Sequence, residues 1–333
     1  MTKYFKFLAL FLLIFLASCG SKTETGAETI RIGTEAISLV FLPNNPPNEI
    51  KVSDVDENFL LVMQLNNRGA YPQPDDTILA PEGKIYLSGF DKRIISFAAR
   101  EYGTGDKIDI GRTALEGKST INPHGGQDII TFDGKIDAKA LNVNKYDPII
   151  MATACFKYET IAAPQVCLDP IPYAENVRKV CTTSDVAMQS QGAPIAVTML
   201  NVEPFAAKTQ FKITVKNVGT GQVFKETYKD KCGEEQQPNT YNEDIDRVKL
   251  EKAEIAGEVL FCGPFANEGQ TTNTKAQNGY IRLISGEGYV ICELESGKYK
   301  DAQTPFTTPM EIKLSYTYKV SIQRQMTLIK KSN

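Results

Sequence analysis

The sequence predicts an all-β protein, and three observations carry that prediction. Apolar residues recur with period two: Ile37, Leu39 and Phe41 alternate with Ser38 and Val40, and Phe59, Leu61, Met63 and Leu65 alternate along the next run. Phe211, Ile213 and Val215 alternate in the same way with Lys212, Thr214 and Lys216. These runs are short, and Gly, Pro, Asn and Asp separate them. No long segment has a helical period. Short alternating strands between turn signals argue for antiparallel β-sandwiches rather than a parallel α/β sheet.

At the N-terminus, Lys3 and Lys6 precede an apolar run over 7–15, and Leu16-Ala17-Ser18-Cys19 follows. A basic start, a short apolar stretch and small residues form an export signal over 1–18, too short for a spanning helix of ~20 residues. The stretch 16–19 resembles the lipobox of prokaryotic lipoproteins. That resemblance implies that the Cys19 thiol takes a diacylglycerol and becomes the new N-terminus. The mature protein is then exported and lipid-anchored to the outer face of the cell membrane or envelope. Residues 19–28 are small, polar and aperiodic, and read as the lipidated cysteine with a flexible tether.

Two units follow, over 29–172 and 173–333, and they can be set in register at two places. Asn67-x-Gly69 matches Asn217-x-Gly219, each after an alternating strand. Phe156-Lys157-Tyr158 matches Tyr316-Thr317-Tyr318, and Gln165 to Leu168 then falls on Gln325 to Leu328. Two copies of one sandwich, with a boundary in 170–179, account for both matches. Asn and Gly supply the turn conformations at the ends of the strands.

At Phe211-Lys212-Ile213-Thr214-Val215-Lys216-Asn217-Val218-Gly219-Thr220-Gly221 the sequence resembles the adhesion-related Ig-like modules, often called CARDB, of archaeal and bacterial surface proteins. Leu60 to Gly69 is a fainter version of the same strand and turn. The resemblance implies tandem seven-stranded immunoglobulin-like sandwiches and a modular cell-surface role.

Apart from Cys19, the chain has Cys155, Cys167, Cys181, Cys232, Cys262 and Cys292. An even number in an exported chain reads as disulfides, and no Cys-x-x-Cys spacing points to zinc or redox work. Read as a terminal hairpin about Ile161, the first unit sets Cys155 opposite Cys167. The other four allow three connectivities, of which Cys181 with Cys232 and Cys262 with Cys292 is preferred. The hairpin over 281–289 brings the strand of Cys292 beside that of Cys262.

The net charge of −3 lacks the basic excess of a nucleic-acid binder. No catalytic residue is assigned: the only histidine, His124, stands in a turn-like Asn-Pro-His-Gly-Gly stretch, and no nucleophile elbow or zinc motif occurs. No cofactor is expected, except that calcium has hard oxygen donors available at Asp54, Asp56 and Glu57 and at Asp244 and Asp246. The proline-rich segments 43–47 and 72–76 read as rigid loops at the ends of the sandwiches, with Tyr71 as a contact residue.

The function expected from these features is a lipid-anchored binding, adhesion or spacer protein without catalysis. Its partners are the membrane, through the lipid, and a surface protein or glycan. The alternatives are an envelope assembly or secretion accessory that pairs by an edge strand, and a glycan-active enzyme using paired carboxylates.

Overall fold

The computed structural model describes residues 31–73, 76–174, 177–231, 243–267, 270–272, 275–299 and 301–331. The predicted signal, tether and Cys19 lie outside the described residues, as does Cys232. The described chain is all-β. The first half carries β1 (Ile37–Phe41), β2 (Glu49–Val52), β3 (Glu57–Asn67), β4 (Gly83–Ser88), β5 (Ile95–Ala99), β6 (Gly103–Thr104), β7 (Lys107–Asp109), β8 (Gln127–Ile136), β9 (Lys145–Tyr146), β10 (Ile149–Ala162) and β11 (Gln165–Leu168). The second carries β12 (Val186–Ala187), β13 (Ile195–Pro204), β14 (Lys208–Asn217), β15 (Gln222–Phe224), β16 (Arg247–Ile255), β17 (Glu258–Val259) and β18 (Phe261–Gly263). It ends with β19 (Phe265–Asn267), β20 (Gln270–Thr272), β21 (Gly279–Arg282), β22 (Glu287–Glu295), β23 (Phe306–Gln325) and β24 (Thr327–Lys330).

The predicted alternation is what packs. Phe59, Leu61, Met63 and Leu65 of β3 are buried, as are Phe211, Ile213 and Val215 of β14, while Lys212 and Lys216 face solvent. Each half has its own outer sheet, in the order β1-β3-β8-β5 in the first and β12-β13-β14-β22-β18 in the second. A ten-stranded sheet, β17-β16-β23-β10-β4-β7-β6 with β11, β15 and β21 attached, runs through both halves. One continuous apolar cluster holds Leu61 and Met63 of one outer sheet, Phe211 and Ile213 of the other, and Phe156, Tyr158, Tyr316 and Tyr318 of the shared sheet. The units 29–172 and 173–333 therefore share a sheet and a core. The C-terminal β24 returns to the first half, parallel to β2 and antiparallel to β9.

At the centre of the shared sheet, β10 pairs with β23 from Ile149↔Gln325 to Ala162↔Ile312. The two triads matched in the sequence meet there: Phe156 lies opposite Tyr318, Lys157 opposite Thr317 and Tyr158 opposite Tyr316. The halves are thus related by a local two-fold at Lys157 and Thr317. Strand β11 continues the same register, from Gln165↔Pro309 to Leu168↔Phe306.

That continuity corrects one expectation. Segments 149–162 and 165–168 form one straight line along β23 rather than a hairpin. Cys155 and Cys167 are therefore on the order of 40 Å apart at ~3.3 Å per residue, beyond any disulfide. Cys167 is bonded to Cys181 instead, with Cα atoms 6.0 Å apart, so the expected Cys181–Cys232 pair is corrected too. Cys155 is itself disulfide-bonded, but not to Cys167. The Cys167–Cys181 bridge and a 2.6 Å Lys179–Asp169 ion pair close the segment read as the boundary between the units.

Cys262 and Cys292 are bonded as expected, directly opposed on β18 and β22 with Cα atoms 3.9 Å apart. Cys262 spends its N–H and C=O on Ala276, on the side away from β22. The pair with Cys292 is therefore the close, non-hydrogen-bonded kind, where a cross-strand disulfide fits. Cystines of this kind point to an oxidising, exported setting.

The Asn-x-Gly match also has a structural basis. Tyr158 Oη donates to Asn67 Oδ1 (3.0 Å) and accepts from Tyr71 N (3.2 Å). Asn67 Oδ1 accepts from Gly69 N, and Asn67 Nδ2 donates to the Tyr71 carbonyl. In the second half Tyr318 Oη donates to Asn217 Oδ1 (3.2 Å) and accepts from Gly221 N (2.7 Å), while Asn217 bonds Gly219 N and the Gly221 carbonyl. Each clasp ties the end of an outer-sheet strand to the shared sheet. A Cβ at Gly69 or Gly219 would run into the phenol oxygen, which is why glycine stands two residues after each asparagine.

Candidate functional site

The outer face of the shared sheet carries a cleft of about 410 Å³. Its floor begins on β4, where alternation sends Ile85 and Leu87 into the core and Lys84 and Tyr86 to the other face. Tyr86 is nearly buried there, in a small cluster with Cys155, Phe224 and Tyr228. Phe224 and Tyr228 stack with centroids 4.3 Å apart, and Tyr228 belongs to the 3-10 turn Glu226–Asp230 that covers this face.

The far wall is the β6–β7 hairpin. It turns at Gly105, which has a positive φ of 58°, and Asp109 N donates to the Tyr102 carbonyl at 2.6 Å. Tyr102 has φ 57°, a left-handed conformation that is costly for a residue with a large side chain. Asp109 Oδ1 then accepts from Gly111 N (3.0 Å) and starts the 3-10 turn Ile110–Arg112. Ile110 is anchored in the core, which sets Arg112 exposed on the rim.

Charge in the cleft is unevenly committed. Lys84 Nζ lies 3.5 Å from Asp230 Oδ1, and Lys229 Nζ lies 3.1 Å from Asp230 Oδ2 and 3.3 Å from Glu82. Partial burial pushes the Asp230 carboxyl up, but the two lysines hold it below its ordinary value. Asp109 is occupied as the cap of the turn. Lys107 lies 5.6 Å from the centre of the Tyr86 ring. Tyr86, Tyr102, Lys107 and Arg112 thus line the cleft together, with Tyr86 at its floor and Arg112 at its rim.

The residues singled out in the sequence lie elsewhere. Asp56 accepts from Ala138 N (3.1 Å) and pairs with Lys135 (2.9 Å), whose ammonium holds its carboxyl below the ordinary range. Glu57 opens β3 opposite Ile136, and Asp54 stands exposed at the preceding bend. Asp244 is buried between Lys225 (3.6 Å) and Lys231 (3.3 Å), and Asp246 takes φ 55° with its carboxyl raised by burial. Among the described residues no three acidic, histidine or cysteine side chains gather as a metal group. Of the five acids named for calcium, Asp56 and Asp244 are engaged by lysines.

His124 is exposed in its turn. The loop over 43–47 is pinned from inside by Arg324, which donates to the carbonyls of Leu42 (3.1 Å) and Asn45 (3.4 Å). Tyr71 is half-buried: its ring packs edge-on against Tyr158 at 5.4 Å, and burial pushes its phenol well up. No helix among the described residues is long and apolar enough to cross a membrane, which says nothing of membrane-crossing strands.

No family model matches this sequence, and no curated protein matches it. Among solved structures, tripeptidyl peptidase 2 is similar over 84% of this chain and 20% of that one, at 9% identity and a TM-score of 0.19. The chain spans a fifth of that protein's length, and a likeness of this size carries no argument about fold or activity.

Sequence reasoning missed the cleft. The signal available was the alternation of Lys84-Ile85-Tyr86-Leu87, which sets a lysine and a tyrosine together on one face. Asp230 reaches the same place only through the pairing of β4, β10 and β23.

Proposed function

We propose that this is an exported binding or adhesion protein, held at the outer face of the membrane by lipid on Cys19, and that its cleft takes an acidic saccharide. The observation that carries the reading is the cleft chemistry. Tyr102 offers a half-buried ring at the wall, Tyr86 lines the floor, and Lys107 and Arg112 offer positive charge for a carboxylate or sulfate. Both carboxylates of the cleft are occupied, Asp109 by a cap and Asp230 by two lysines, which favours holding a ligand over acid-base work on it. The disulfides and the tyrosine clasps supply the rigidity that a spacer outside the cell needs.

Titration calorimetry with a polyuronate oligosaccharide tests the site. The protein is expected to bind it, and Lys107→Ala with Arg112→Ala to weaken binding about tenfold or more, with the loss shrinking at high salt. No binding, or binding indifferent to both substitutions, overturns the proposal. For the anchor, Cys19→Ser is expected to release the protein from membranes and abolish incorporation of a labelled fatty acid.

A further inference from the structure

The short turn Glu226–Asp230 bridges the two halves across the outer face of the shared sheet. Its first end rests on the second half. Thr317 Oγ1 of β23 donates to the Glu226 carbonyl (3.0 Å), and Tyr280 Oη of β21 donates to Glu226 Oε1 (3.0 Å). Lys249 Nζ of β16 lies 3.4 Å from the same oxygen. The far end rests on the first half, where Asp230 meets Lys84 of β4 and Lys229 meets Glu82. Between the ends, Tyr228 shares a buried cluster with Phe224, Tyr86 and Cys155. The turn closes at Lys231, whose N–H donates to the Tyr228 carbonyl (2.9 Å).

Cys155 lies beneath this turn. On β10, Ala154 and Phe156 belong to the main core, so alternation sends Cys155 to the opposite face, toward Tyr86 and Tyr228. It is fully buried, and its sulfur is held in a disulfide. A sulfur buried so deeply is out of reach of a cysteine on another chain.

The chain has seven cysteines. Cys167 is bonded to Cys181 and Cys262 to Cys292, which leaves Cys19 and Cys232 as partners for Cys155. Lipid on Cys19 consumes that thiol as a thioether, and this one step rests on the proposed anchor. Cys232 directly follows Lys231, the residue that closes the turn over Cys155. Cα atoms of β10 and of the turn already approach within 8 Å. A disulfide spans about 4.4–6.8 Å between Cα atoms, and one residue adds ~3.8 Å of chain.

We infer that Cys155 is bonded to Cys232, and that this bond positions the turn Glu226–Asp230, with the Asp230 wall of the cleft, on the first half. In forming it, each thiol gives up a proton and the S–S bond closes. The two electrons pass to a donor disulfide, which leaves as two thiols. The bond acts where covalent help matters most. The ion pairs of Asp230 and Lys229 at the far end stand partly in solvent, and pairs of that kind hold weakly.

Peptide mapping of the full chain tests the pairing. The protein is extracted from membranes without reductant, its free thiols are alkylated, and trypsin cuts it after lysine and arginine. Peptide 146–157, which carries Cys155, is expected to be linked to peptide 232–247, which carries Cys232, and the link to vanish with reductant. A link from Cys155 to Cys19 overturns both this pairing and the lipid anchor. Lipid on Cys19 together with a free Cys155, or with Cys155 linked to any other cysteine, overturns the pairing alone.

Hydrogen exchange tests the positioning. In Cys232→Ser the amides of Tyr228 and Lys231, which donate to the Lys225 and Tyr228 carbonyls, are expected to exchange about tenfold faster or more. The amides of Gly69 and Gly219, bonded in the two clasps, are expected to keep their rates. Cys155 stays in place in this variant, so the buried cluster loses no volume. Unchanged exchange at Tyr228 and Lys231 overturns the positioning role, and so does an equal acceleration at the clasps.

Discussion

The clasp at Tyr158 and the clasp at Tyr318 use the same groups, yet they are not equally deep. Asn67 is fully buried, and its amide nitrogen bonds two carbonyls, those of Tyr71 and Leu115. Asn217 is half-buried, and its amide nitrogen bonds one, that of Gly221. Tyr71 further packs its ring on Tyr158, where the second half has Gly221. The second half instead has the Cys262–Cys292 staple across β18 and β22. In the corresponding place the first half pairs β5 with β8 and sets Phe97 edge-on to Phe59 at 5.6 Å. At these matching places of the two outer sheets, the first half thus uses buried polar and aromatic contacts where the second has a covalent bond.

The largest effect expected from breaking this comparison is at the staple. Cys262→Ser with Cys292→Ser opens a loop of 30 residues in sequence separation and is expected to cost about 3–4 kcal/mol on the chain-entropy view. Because β10 and β23 join the halves, chemical denaturation should still show one transition. Two separated transitions would mean that the halves stand alone.

Next come the clasps. Asn67→Ala strands two buried carbonyls and a phenol and is expected to cost ~2–3 kcal/mol, whereas Asn217→Ala should cost ~1 kcal/mol. Equal losses in urea melts would refute the depth argument.

The smallest effect is a pH slope. Partial burial pushes the Glu293 carboxyl up, but Lys208, Lys275 and Gln210 pull it down to about 2. A carboxylate held below its unfolded value stabilises the fold above that ordinary value, and the contribution is lost as pH falls toward about 2. Glu293→Gln should therefore flatten the acid limb of stability between those values. Asp56→Asn, at an exposed pair with Lys135, should flatten it less.

Much of the fold was legible in local pattern. The alternation of β1, β3 and β14 placed their buried faces, because a strand with one wet face must alternate. The Asn-x-Gly and aromatic triads were legible as a repeat. Their hydrogen bonding to each other was not, since it depends on strands that meet from far apart in sequence. The same limit explains the cysteines. Two strands separated by Ala163 and Pro164 read locally as a hairpin, yet β23 holds both in one line. Only the Cys262–Cys292 pair came out as expected. The cleft was hidden for a related reason: Lys84, Arg112 and Asp230 carry no shared motif, and tertiary pairing alone assembles them.

The twenty-residue β23 has a consequence for how the polypeptide is made. Emerging from its N-terminus, the nascent chain leaves one edge of β10 unpaired along all fourteen of its positions until Phe306 and its successors arrive, and β2 waits longer still for β24. A product clipped ahead of Phe306 therefore loses the neighbour of both halves at once.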